Sequence, residues 1–194
     1  MKYLIIYAHP NTASFNHAIM ETITEEFKKS NKEFEVRDLY KIGFNPVLSS
    51  EDLAAIQKGA VPHDIKTEQD YIRAADTLIF ISPIWWSAMP AMLKGYFDRV
   101  FSLKFAYDIT ADGVIGLLTG KKVFIVSTTG ASKEDYDKMG AFKMMNLSMD
   151  MAICQFSGME VIGHKYFSSV PYVLDQDRKQ MLEELRLLVR EKVL

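Results

Sequence analysis

Three stretches of this chain, Tyr3 to Ala8, Thr77 to Ser82 and Lys122 to Thr128, are nearly continuous apolar runs of strand length. A strand with so few polar positions has no face to turn to water. Both faces must be covered, which is the situation of a parallel sheet between two layers of helices. Two further runs, Phe34 to Leu39 and Met159 to Phe167, bring the strands to five. Helical patterns alternate with them. Ser14 to Ser30 carries Ile19, Ile23 and Phe27 at four-residue spacing, Met89 to Phe101 carries Met92, Leu93, Phe97, Val100 and Phe101 on one stripe, and a last helix runs from about Asp175 with Met181, Leu185 and Leu188 inward. Strand-helix alternation of this kind, with right-handed crossovers, predicts an α/β three-layer sandwich of the flavodoxin-like type, a five-stranded parallel sheet in the order 2-1-3-4-5. No repeat or linker divides the chain, so residues 1–194 are read as a single domain. Lys41 to Pro62, with a short helix near Glu51 to Lys58, and Phe105 to Gly120 are irregular excursions.

Composition removes several classes of function. The formal charge is -2 with basic residues scattered, which argues against nucleic-acid binding and against an obligate acidic electron carrier. One cysteine, Cys154, excludes an internal disulfide or a CxxC pair and fits a reducing, cytoplasmic setting. Neither a signal peptide nor a membrane span is legible.

The chemistry lies where the strands end. After the first run come His9, Pro10, Asn11, Thr12, Ala13, Ser14, Phe15 and Asn16. Hydroxyl and amide groups beside the free N–H groups of a helix start suit a phosphate; equally, Ser14 or Asn16 caps the helix and does nothing else. This loop contains no glycine, so the G-x-G-x-x-G dinucleotide loop is excluded, and Gly116 to Lys121 has the wrong spacing for a P-loop. After the third run come Pro83, Ile84, Trp85 and Trp86, whose indoles either wall in a flat ring or anchor the core. After the fourth come Thr128, Thr129, Gly130, Ala131 and Ser132, a loop that a ligand could approach closely or an ordinary helix entry. Taken together, a phosphate site flanked by two ring-contacting loops suits a flavin mononucleotide or dinucleotide. His17, His63 and His164 show neither metal-ligand spacing nor a paired carboxylate, and structural or surface roles are expected for them; no metal site is expected. Cys154 reads as a small core residue, and the methionines after Tyr136 as core packing or a dimer surface.

The order A-H-P then S-F-N, P-x-x-W at Pro83 to Trp86, P-x-x-L-K-G-x-F-[DE]-R-V-F at Pro90 to Phe101, F-A-Y at Phe105 to Tyr107 and T-T-G at Thr128 to Gly130 resembles the flavodoxin-like NAD(P)H:quinone oxidoreductases. That family includes DT-diaphorase and its short bacterial relatives. The resemblance implies a homodimer that uses a bound flavin to pass hydride from NAD(P)H to quinones or similar flat acceptors. It implies that His9, Thr12, Ser14, Phe15 and Asn16 hold the flavin phosphate, and that Pro83 to Trp86 and Thr128 to Ala131 contact the ring. Tyr136 falls where the family hydrogen-bonds charge developing on the flavin, and Tyr107 where it lines the substrate site across the dimer. Phe142 stands where the best-known members have a histidine. The segment between Asn45 and Gln69 is short, which favours FMN and leaves FAD open. Other roles within the family are a flavin-binding partner of a potassium efflux system and, by fold, a flavodoxin-type carrier.

Overall fold

The structure is a computed structural model that describes residues 2–194. Five parallel strands, β1 (Lys2–Tyr7), β2 (Glu33–Asp38), β3 (Thr77–Pro83), β6 (Lys122–Thr128) and β7 (Glu160–Phe167), form one sheet in the order β2-β1-β3-β6-β7. Counting only sheet strands, this is the expected order. The period-two geometry of a strand divides each apolar run between two cores. Leu4, Ile6, Leu78, Phe80, Val123 and Ile125 belong to one, with Leu93, Phe97 and Val100 of α4 (Ala91–Val100). Tyr3, Ile5, Ile79, Ile81, Phe124 and Val126 belong to the other, with Ile19, Ile23 and Phe27 of α1 (Phe15–Lys29) and Leu185 of α7 (Asp175–Leu188). Strand β2, at the edge, instead alternates Phe34 and Val36 with charged residues.

Two elements lie outside the expectations. The region after Pro62 is a helix, α3 (His63–Ala74), following α2 (Ser50–Gln57). Its inner face carries Ile65 and Ile72 but also buried Glu68 and Gln69. Glu68 accepts from Arg37 Nε at 3.1 Å, and Gln69 donates to the Val100 carbonyl at 3.0 Å, so polar pairs replace the apolar stripe that would have marked it. Phe105 to Gly120, expected to be irregular, holds an antiparallel hairpin of β4 (Tyr107–Thr110) and β5 (Gly113–Gly116). Beyond β6 come α5 (Lys133–Lys138) and α6 (Ala141–Asn146), the latter running on into a π-helical segment, Leu147–Gln155. Cys154 is buried there, as expected.

Helix α4 is clamped from outside. Buried Arg99 donates to Asp52 at 2.8 Å and to the Asn45 carbonyl at 2.9 Å, which folds the 41–62 excursion over the helix. Close approach of that excursion requires Gly95, because a β-carbon there would lie 2.0 Å from the Pro46 oxygen and 2.4 Å from its Cβ. Overlap with backbone cannot be relieved by a rotamer change. Gly95→Ala is therefore expected to lower unfolding free energy by about 2–3 kcal/mol, the upper range for overpacking, read as a lower denaturation midpoint at unchanged slope.

Candidate active site

Strand order reverses between β1 and β3, because β1 pairs with β2 on one side and β3 on the other. At such a switch point the loops at the carboxyl ends diverge and leave a crevice. Here it has a volume of about 300 Å³ and brings together His9, Ser14, Phe15, Asn16, Pro83, Ile84, Trp85, Thr128, Thr129 and Gly130, ten residues of three loops.

The first loop presents donors. Ser14 caps α1, its Oγ accepting from His17 N–H at 3.1 Å, so the capping role is real. The N–H groups of Phe15 and Asn16, at the first two helical positions, still have no backbone acceptor among the described residues and carry the positive end of the helix dipole. His9 Nδ1 accepts from Asn11 N–H at 3.0 Å and also lies 3.2 Å from the Asn11 carbonyl. Burial favours the neutral ring and lowers its pKa. Asn16 is buried and spans the crevice floor: its amide nitrogen donates to Thr128 Oγ1 at 2.8 Å, while its Oδ1 has no partner. Turning the amide over exchanges the two ends, and either way one buried polar group is left without a partner. Gly130 lines the crevice with open space where a side chain would be.

The second loop is strained. Trp85 N–H donates to the Ala88 carbonyl at 2.9 Å and Ala88 N–H returns to the Trp85 carbonyl at 3.1 Å, closing a two-residue turn. Its central residues, Trp86 and Ser87, have φ of 51° and 57°. Such turns select Asn and Gly, and other residues pay about 1–2 kcal/mol each for the left-handed conformation. The turn sets Trp85 at the crevice, its ring 5.9 Å from that of His9, and holds Trp86 fully in solvent. Of the two indoles expected at the crevice, only Trp85 lines it.

Other expected site residues lie elsewhere. Thr12 is exposed on the first loop, and the Ala131 carbonyl accepts from Thr129 Oγ1 and Ser169 N–H, both at 3.0 Å, tying loops together. Tyr136 packs with Ala141 and Met145 against Ile84, Phe142 and Tyr166, its ring 5.3 Å from that of Phe142. Ile84 thus separates Tyr136 from the crevice by one side chain. Tyr107 lines a different cavity, with Phe97 and Phe156, and does not reach the crevice of its own chain. Val170 and Pro171, not anticipated, close the crevice from the loop after β7, where Ser168, Ser169 and Pro171 repeat the hydroxyl-then-proline order of Ser82-Pro83. The expectation that the histidines lack carboxylate partners is also corrected: the fold brings Asp150 to 2.8 Å from His164 Nδ1 and Glu21 to 3.6 Å from His17 Nε2. Among the described residues no helix is long and apolar enough to cross a membrane.

A family model described as Flavodoxin-like fold matches residues 1–189. The chain is 35% identical over 201 residues to an uncharacterized NAD(P)H oxidoreductase of Haemophilus influenzae, covering 99% of this chain and 100% of that one. It is 32% identical over 200 residues to rat NAD(P)H dehydrogenase [quinone] 1, covering 93% and 73%. Among solved structures it is similar to an NAD(P)H:quinone oxidoreductase from Methanothermobacter marburgensis, with TM-score 0.90, 30% identity and 98% of each chain covered.

Strain kept in a turn beside a crevice identifies a place where shape is maintained against stability. Replacing Trp86 and Ser87 by Asn and Gly is expected to raise the melting temperature by about 4–16 °C, from about 2–4 kcal/mol of relieved strain at about 2–4 °C per kcal/mol for a chain of this size. An unchanged melting temperature would show the turn to be unstrained.

Proposed function

The chain belongs to the flavodoxin-like fold family, in the group of NAD(P)H:quinone oxidoreductases, and from that premise we propose that it holds a flavin in this crevice as a single flavin-binding domain. The observation that carries the reading is Asn16, a buried amide with one end unsatisfied in a crevice otherwise lined with donors. Leaving such a group unpaired costs about 1–3 kcal/mol, which a bound ligand would recover.

The residues fit the group. The N–H groups of Phe15 and Asn16, the Ser14 hydroxyl and the His9 ring would bind the phosphate at the positive end of α1. The backbone of Pro83 to Trp85 and of Thr128 to Gly130 would contact the ring, with Trp85 as its wall. The short segment between Asn45 and Gln69 favours FMN over FAD. When bound, a flavin takes hydride from NAD(P)H and gives it to a flat acceptor such as a quinone. With the Ile84 side chain turned aside, Tyr136 would hydrogen-bond the side on which negative charge develops, an interaction stronger in the transition state than in the ground state. Phe142 presents an apolar ring where a titrating group would otherwise stand. Donor and acceptor share one place and so take turns.

The exposed apolar side chains Trp86, Ile109, Val114, Met144, Met151 and Phe156 support a homodimer in which Tyr107 of the partner subunit completes the acceptor site. Initial rates with NADH or NADPH and a quinone should give parallel double-reciprocal lines. Tyr136→Phe is expected to lower kcat by about ten- to a hundredfold while leaving KM for the nicotinamide nearly unchanged. Intersecting lines would contradict a shared place, and a wild-type kcat would remove Tyr136 from the chemistry.

A further inference from the structure

On the far side of Ile84 lies a second cavity, of about 310 Å³, a size typical of small-molecule sites. The strained turn contributes Ser87 to its wall, and Met89, Met145 and Met149 contribute polarisable thioethers that pack well on aromatic rings. Its floor is polar. Ser82 and Ser127 stand opposite each other in the β3–β6 register, both buried, and His164 lies beside them.

The hydrogen bonds of His164 fix what this floor offers. Nδ1 lies 2.8 Å from Asp150 Oδ1 and Nε2 lies 3.0 Å from Ser127 Oγ. The Tyr166 hydroxyl is also 3.1 Å from Nδ1, but its one proton goes to Asn146 Oδ1 at 2.6 Å. Burial, with the Asp150 carboxylate nearby, raises the pKa of that phenol and keeps the proton on it. In the neutral ring Nδ1 therefore carries the proton and donates to Asp150, and Nε2 accepts from the Ser127 hydroxyl. With its proton committed, the Ser127 oxygen shows the cavity lone pairs only. The Ser82 hydroxyl makes no side-chain hydrogen bond among the described residues and is free to donate. One acceptor and one donor stand side by side beneath apolar walls.

We propose that this cavity binds an aromatic alcohol of one or two rings, its O–H donating to Ser127 and its oxygen accepting from Ser82. An ether or ketone lacks the donor that Ser127 requires. A carboxylate would bring a second negative charge beside Asp150. The assignment rests on the cavity alone and does not depend on a flavin in the neighbouring crevice.

Calorimetric titration of the purified protein with 2-naphthol and with 2-fluoronaphthalene, which keeps the shape and lacks the donor, tests it. The naphthol is expected to bind about tenfold more tightly. Ser127→Ala should erase that preference with the fluoronaphthalene affinity retained. Ser148→Trp, at an exposed position of the cavity wall, should block both probes. Saturating FMN should leave naphthol binding in place. Equal affinities in the unmodified protein, a preference that survives Ser127→Ala, or displacement of naphthol by FMN would overturn the proposal. Failure of FMN to bind at all would count against the flavin reading and leave the naphthol result standing.

Discussion

The arrangement of the candidate site depends on Thr128. Its side chain accepts from Asn16 at 2.8 Å and its carbonyl accepts from Ile84 N–H at 2.8 Å, so the loops after β1 and β3 are both fastened to the end of β6. The next residue extends the fastening: Thr129 N–H donates to the Phe167 carbonyl at 2.9 Å, and Val170 N–H donates to the Thr129 carbonyl at 3.1 Å. Four loops far apart in sequence therefore meet around two threonines. The central strands beneath them are buried on both faces, which gives these bonds a rigid base.

Much of this was legible because the physics is local. A run that is apolar at nearly every position can only be a strand covered on both faces, and β1, β3 and β6 were visible for that reason. The polar ends of those runs likewise marked the crevice, ten of whose residues came from the three loops read in advance. What escaped was set by distant partners. Helix α3 buries Glu68 and Gln69, whose partners Arg37 and Val100 lie 31 residues away, so its inner face did not look apolar. The β4–β5 hairpin is mostly exposed, leaving no half-buried alternation to detect. Trp86 and Ser87 do not belong to the residue types that favour a left-handed turn, and nothing local announces that they adopt one. The pairing of His164 with Asp150 arises from how the π-helical segment lies against β7.

These exceptions gather at the carboxyl end of the sheet. An unsatisfied buried amide, a strained turn and a fully exposed tryptophan are each unfavourable for a chain that only has to fold. All three face or flank the crevice, while the opposite end of the sheet carries ordinary ion pairs such as Lys2 with Glu33. The family to which the chain belongs is one of oxidoreductases.

We propose that Asn16 and the loops joined at Thr128 form a flavin site. Titrating flavin-free protein with FMN, followed by flavin fluorescence, tests it most directly when the unmodified chain is compared with Asn16→Ala. One FMN per chain is expected, with affinity lowered about ten- to a hundredfold in the variant, the range for a hydrogen bond to a charged group. Equal affinity in the two proteins, or no binding by the unmodified chain, would contradict the account.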